Sequence, residues 1–247
     1  MSYSQGVAQF TDLFEPPDEQ AADFLSSIGT PGQHVLEVGA GAGATAFSLA
    51  EAGHRVTALE PDPEMFAVML SRLALRPALH ERVSPVPAAS GFAFDAPFDL
   101  VASVAVVHLL EGYAERLAFL RYLSHQAGSA GRVAVNIAID SPARSPAASR
   151  LVGTRLLGNA LIEKYSSTHP VQDGWWHTKW RFRVTHAGQL VHEVNRTFRW
   201  FPTPPGDAFA LVEAAGLCID QALGGFDGKP FVSGETGSLL VIARPRN

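Results

Sequence analysis

The run His34-Val35-Leu36-Glu37-Val38-Gly39-Ala40-Gly41-Ala42-Gly43 constrains this chain more than any other stretch. Val35, Leu36 and Val38 form a short apolar run of the kind a buried strand shows. The glycines let the backbone turn sharply and approach a ligand closely, because they carry no Cβ. From Ala44 to Ala52, residues Phe47, Leu49 and Ala50 recur at helical spacing, and Gly53 supplies the stop. Arg55-Val56-Thr57-Ala58-Leu59 is β-prone, and Glu60 follows it. Strand, glycine turn, helix and strand with a right-handed crossover make half of a doubly wound α/β fold.

The spacing bears on the ligand. Dinucleotide-binding chains use G-x-G-x-x-G to bring a pyrophosphate to a helix N-terminus. Here the order is Gly39-x-Gly41-x-Gly43, with Glu37 just ahead. A carboxylate there would repel a pyrophosphate and suits a ligand bearing an ammonium group. S-adenosylmethionine has one, beside its sulfonium, and Glu60 is placed to accept hydrogen bonds from both ribose hydroxyls. Two readings stand against it: a nicotinamide dinucleotide, and a tight turn with no ligand.

With 247 residues, 47% hydrophobic and 17% charged, the chain can bury one large α/β domain or a domain plus an insert. A net charge of −5 and the lack of a long basic run argue against a nucleic-acid partner. The basic cluster Arg181, Arg183, Arg196 and Arg199 is interleaved with aromatics and is expected on a sheet. The single cysteine, Cys218, allows no disulfide within the chain and no thiolate metal site, which fits the reducing cytoplasm; it is expected as a buried strand residue. No metal is expected. Nothing at the N-terminus reads as a secretion signal, and no apolar stretch reaches membrane-spanning length, so no membrane partner is expected.

Residues 1–33 read as a helical lead-in, or lid, in which Phe10, Leu13 and Phe14 share a face. Residues 34–139 alternate strand and helix, the mark of a parallel sheet covered on both faces. Strands are expected near Val83–Ala88, Phe98–Ser103 and Arg132–Ile137. Residues 140–201 read as an insert: a helix over Leu151–Glu163, then two alternating strands, Trp175–Val184 and Val191–Phe201, as an antiparallel hairpin or small sheet. Residues 202–247 return to the core with a helix over Ala208–Ala215 and strands near Leu217–Leu223 and Ser238–Ala243. The expected fold class is therefore a Rossmann-like, doubly wound, seven-stranded α/β sheet with a helical lid and an antiparallel insert after the fifth strand.

The E-x-G-x-G-x-G signature with Glu60 resembles the class I S-adenosylmethionine-dependent methyltransferases. The opening Tyr3-Ser4-x-x-Val7-Ala8-x-Phe10-x-Asp12-Leu13 is similar to that of bacterial small-molecule methyltransferases. Phe209 and Glu213-Ala214-Ala215-Gly216-Leu217, then Gly224-Gly225-Phe226-x-Gly228-Lys229-Pro230-Phe231, resemble the C-terminal half of the amino-sugar N,N-dimethyltransferases of antibiotic biosynthesis. The resemblance implies that Glu37, Gly39, Gly41 and Gly43 line the methionine and ribose end of the cofactor, that Glu60 binds the ribose hydroxyls, and that Ala40 and Pro61 also belong to the cofactor site. Asp62 and Met65 would lie near the adenine. Ser103 and Val104 would flank the cofactor, Tyr3 would come from the lid to lie beside the sulfonium and acceptor, and Phe10 would help close the lid. The family usually places an acid against the adenine after its third strand; here Ala88-Ala89-Ser90 stands there, and Ser90 is the candidate contact.

Methyl transfer from a sulfonium is an in-line displacement, so the protein mainly aligns acceptor, methyl and sulfur and excludes water. An amine acceptor must be neutral to attack, so a base or a water path must take one proton. Tyr3 and His108 are the catalytic candidates, with His108 near the acceptor amine by the resemblance. Read simply as residues, His108 could cap the turn after the fourth strand and Tyr3 could be a frayed end. His177, His186 and His192 flank or sit within the hairpin strands, with His177 close enough to Trp175-Trp176 to reach the acceptor pocket. The expected activity is N-methylation of a small natural-product intermediate, either a nucleotide-linked amino sugar or a peptide N-terminus, with S-adenosylhomocysteine as co-product. An O-methyltransferase and an inactive S-adenosylmethionine-binding module are the alternatives. The aromatic-rich hairpin is also a candidate homodimer surface.

Overall fold

The computed structural model of the chain describes residues 6–14, 19–142 and 144–246. Tyr3 lies outside them. Two layers of helix cover a mixed sheet, and a second, antiparallel sheet stands at its edge.

The lead-in forms helices α1 (Ala8–Phe14) and α2 (Glu19–Ser27). Strand β1 (His34–Val38), helix α3 (Ala44–Glu51), strand β2 (Arg55–Leu59) and helix α4 (Pro63–Ala74) follow as the first crossover predicts. Asp62 explains where α4 starts: its side chain accepts hydrogen bonds from the Glu64 and Met65 N–H groups, and Pro63 fills the first helical position. Strands β3 (Val83–Val86) and β4 (Leu100–Ser103), helix α5 (Gly112–Ala127) and strand β5 (Arg132–Ala138) complete the parallel part. Helix α6 (Pro205–Ala214) and strands β10 (Leu217–Leu223) and β11 (Ser238–Pro245) close the chain. Cys218 sits half-buried on β10, not fully buried as expected.

The main sheet has seven strands in the order β10-β11-β5-β4-β1-β2-β3. The five strands from β5 to β3 run parallel; β11 is antiparallel to both β5 and β10. One face packs Leu25, Phe47, Leu49, Met69 and Leu73 from α2, α3 and α4; the other packs Phe119, Leu120, Leu123, Leu211 and Val212 from α5 and α6. The strand order reverses between β1 and β4. A crevice outside the carboxyl ends of strands at such a switch point is where doubly wound sheets bind ligands.

The insert departs from the sequence reading. No helix spans Leu151–Glu163. The segment instead forms β6 (Ala147–Leu157) and β7 (Ala160–Pro170), which pair with β8 (Trp176–His186) and β9 (Gln189–Trp200) in a four-stranded antiparallel sheet. Gly158-Asn159 is a two-residue hairpin turn with Gly158 at φ 59°, closing the Leu157–Ala160 pair. The basic cluster falls on β8 and β9, where Arg183 pairs with Glu163 and Glu193 and the Arg181 guanidinium lies 4.4 Å from the Tyr165 ring centre.

Candidate functional site

The site begins with the glycine turn. Gly39 N–H and Ala40 N–H both donate to the Leu59 carbonyl at the end of β2, at 2.8 and 3.0 Å, which hooks the turn onto the neighbouring strand. Gly39 has φ 82°, and a Cβ placed there would lie 2.4 Å from Val106 Cγ2. Position 39 thus needs glycine twice over, for its left-handed backbone and for the close approach of the loop after β4. Gly41 and Gly43 also have positive φ, and Met65 lies against Gly41.

Two carboxylates face this turn. Glu60 is buried and bridges it: Oε2 accepts from Gly41 N–H and Oε1 from Asp62 N–H, both at 2.7 Å. Burial raises its pKa against those hydrogen bonds. Glu37, at the carboxyl end of β1, is 3% exposed. Burial pushes its pKa up to about 8, although Thr45 and the Ala46 N–H favour the ionised form and the Glu60 charge disfavours it. Its Oε2 is buried with no hydrogen-bond partner. An orphaned carboxylate oxygen beside a glycine turn is a place for a cationic ligand group, since an unpaired buried acceptor costs free energy that an ammonium would recover.

The other wall comes from the loop after β4. Ser103 is fully buried, and its hydroxyl donates to the Val38 carbonyl at 2.9 Å, tying β4 to β1. Val104 is half-buried in the core. Ala105 takes φ 58°, an uncommon backbone for a residue with a Cβ, at the turn that brings Val106 over Gly39. His108 follows in a short 3₁₀ turn, and its carbonyl accepts from Phe201 N–H at 2.8 Å. Its Nδ1 is buried without a partner. Burial, with the Arg116 and Arg144 guanidiniums, drives its pKa down to about 4, so the ring is neutral throughout the physiological range.

The insert stands above this edge. The His108 ring meets the Trp200 edge at 6.0 Å between centroids, and the Trp200 Nε1–H donates to Thr178 Oγ1 at 3.0 Å. The Arg144 guanidinium lies 4.6 Å from the Trp200 ring centre. Helix α1 joins insert to core. Phe10 stacks on Phe182 at 4.9 Å, with Val7 and Ile162 alongside, while Ala8 packs with Ala42 and Met65. The Phe10 ring is therefore engaged with the insert sheet. His177 sits on the sheet face opposite Thr178 and Phe182, 5.7 Å from His169. Pro61 and Ser90 are exposed, Ser90 in the turn after β3.

The structure thus gathers Glu37, the glycine turn, Glu60, Met65, Ser103, Val104 and His108 at the carboxyl ends of β1, β2 and β4. Sequence reading missed Val106, Arg144, Thr178 and Trp200. Thr178 and Trp200 were legible as inward positions of alternating strands; Arg144, in a proline-flanked loop, carries no periodic signal. Among the described residues no group of His, Cys, Asp and Glu could hold a metal ion, and no helix is long and apolar enough to cross a membrane.

Residues 36–132 match the family model described as a methyltransferase domain. No curated protein sequence matches the chain. Among solved structures, the CcbJ methyltransferase from Streptomyces caelestis shares the fold with TM-score 0.79 at 20% identity, covering 100% of this chain and 99% of its own. The sugar N-methyltransferase KedS8 from Streptoalloteichus sp. gives TM-score 0.78 at 16% identity, covering 97% and 92%. CalS10, an amino pentose methyltransferase from Micromonospora echinaspora solved with S-adenosylmethionine bound, gives 0.72 at 21% identity, covering 99% and 98%. These full-length likenesses extend the shared fold through the N-terminal helices and the insert.

Proposed function

We propose that this chain, which carries a methyltransferase domain, is an S-adenosylmethionine-dependent enzyme that methylates an amine on a small natural-product intermediate. The observation that carries the cofactor reading is the buried, unpartnered Oε2 of Glu37 beside the glycine turn. The fold neighbours named as sugar or amino-sugar methyltransferases support the amine reading.

The residues fit the cofactor. Glu37 would receive its ammonium group and Glu60 its ribose hydroxyls, each Glu60 oxygen keeping a lone pair beyond its backbone hydrogen bond. The glycine turn would lie along the amino-acid and ribose end, with Met65 beside Gly41. When bound, the cofactor supplies an activated methyl group and a good leaving group. The chain then has to orient and to exclude water. Positioning of this kind is worth up to about 7–11 kcal/mol. Helix α1 and the insert, joined through Phe10 and Phe182, would form the cover. His108, neutral and with Nδ1 unpartnered, would hydrogen-bond the acceptor amine and fix its lone-pair direction. At a pKa of about 4 it is a weak base, so its role is orientation more than proton abstraction.

The test is incubation with methyl-labelled S-adenosylmethionine and paired acceptors differing only in an amine or a hydroxyl, including amino sugars on nucleotides and peptides with free N-termini. Label is expected on nitrogen, and His108→Ala should keep a residue of activity, lowered by about a hundredfold, the scale of a lost orienting contact. Label on oxygen, or complete loss in His108→Ala, would favour an O-methyltransferase.

A further inference from the structure

A cavity of about 280 Å³ opens on the α5 and α6 side of the sheet, away from the glycine turn. Tyr113, Trp175, Phe201 and Leu211 make its apolar wall, and Arg116 and Asp207 are its two charged lining residues.

Arg116 is 4% exposed. Its guanidinium donates to neutral acceptors: Nε and Nη2 to the Leu110 carbonyl, Nη2 also to the Phe201 carbonyl, and Nη1 to Thr203 Oγ1 at 2.9 Å. It also lies 4.7 Å from the Phe201 ring centre. Among the described residues no carboxylate comes within ion-pair distance of it. Glu115 acts on it through space, yet burial still lowers its pKa. A guanidinium carries five N–H donors, and one on Nη1 has no acceptor among these bonds. A buried cation without a counter-charge is costly, and an incoming carboxylate would relieve it.

The first turns of α5 and α6 reach the same space through Gly112, Tyr113 and Asp207, and neither helix has a side-chain N-cap. Helix N-termini favour the same sign of ligand charge as Arg116 does. Asp207, exposed at the mouth, opposes it. A simple anion would meet that carboxylate. A molecule with both charges satisfies Arg116 and Asp207 together. The volume, just below the usual range of roughly 300–1,000 Å³ for small-molecule sites, limits its size.

We propose that this cavity binds a small zwitterion with an apolar side chain, an aromatic α-amino acid in chemical class, with its carboxylate toward Arg116, its ammonium toward Asp207 and its ring against Trp175 and Phe201. The site is separate from the glycine turn and stands whatever the methyl acceptor is. It has a route to the transfer site: Phe201 N–H holds the His108 carbonyl, and Arg116 is one of the two cations that act on the His108 ring.

Calorimetric titration of the full chain with L-phenylalanine, phenylacetate and 2-phenylethylamine tests this, using Asp207→Asn and Trp175→Ala with thermal melts to show that both variants fold. L-Phenylalanine is expected to bind at least tenfold tighter than either single-charge analogue. Asp207→Asn should bring its affinity down to that of phenylacetate, and Trp175→Ala should weaken all three ligands. No saturable binding of L-phenylalanine, equal binding of phenylacetate, or an unchanged affinity in Asp207→Asn overturns the proposal.

Discussion

Glu37 sets a cost to the stability of the unliganded protein against the ammonium-binding role proposed for it. Its native pKa of about 8 stands above the ordinary 4.5. Between those values the unfolded chain has released the proton and the native chain has kept it. The unliganded protein therefore loses stability as pH rises through that window, and is free of the penalty below the unfolded value. Glu37→Gln removes the ionisable group and keeps the shape. It should flatten that decline and raise the unliganded Tm by about 2–4 °C for each kcal/mol recovered. The same change removes a charged acceptor from a cationic ligand group, worth about 1.5–3 kcal/mol, or roughly 10–100-fold in affinity. Melting curves from pH 5 to 8 and cofactor titrations check both halves. A variant less stable than wild type at pH 8 would contradict the burial penalty, and one that binds S-adenosylmethionine unchanged would show that Glu37 is not the ammonium site.

At the scale of elements, the turn after β1 and the loop after β4 work as one unit because Val106 fills the space a Cβ at position 39 would need. Gly39→Ala must then bear both a left-handed backbone, about 1–2 kcal/mol, and a clash. Val106→Ala relieves only the clash. The double variant is expected to be more stable than Gly39→Ala alone, a non-additivity that chemical denaturation of the two singles and the double would reveal. Strict additivity would mean that the two loops are not in contact. This region was legible from sequence because its signals are local: a short apolar run, glycines at fixed spacing, and a helix ending at Gly53. The segment read as a helix over Leu151–Glu163 was not. The apolar residues of its first half, Leu151, Val152, Leu156 and Leu157, are all exposed on the edge strand β6, and Ile162, the buried one, lies across the turn on β7, so their spacing reports no single buried face of either period. What makes them strands is pairing with β7, which itself pairs with β8. Gly158-Asn159 was the one local signal for the turn. The charged cavity was equally hidden, since Arg116, Trp175 and Asp207 come from three distant parts of the chain.

At the scale of the whole molecule, the division of labour follows the topology. The parallel half of the sheet carries the proposed cofactor site at its switch point, where β1 and β4 lie side by side. Helix α1 and the four-stranded insert are the proposed acceptor side, and the alternating strands of the insert carry Thr178, Phe182 and Trp200 inward. The full-length likeness to methyltransferase structures at 16–21% identity shows that this arrangement of N-terminal helices, core and insert is shared. Identity of the acceptor rests with side chains that such a likeness does not fix. The cofactor rests on fewer residues and is easier to test. Titration of the full chain with S-adenosylmethionine, S-adenosylhomocysteine and NAD, in one calorimetric series, is the most direct measurement. Saturable binding of the first two, with no binding of NAD, is the predicted result. Tight NAD binding with no response to either adenosyl sulfur compound would contradict the account.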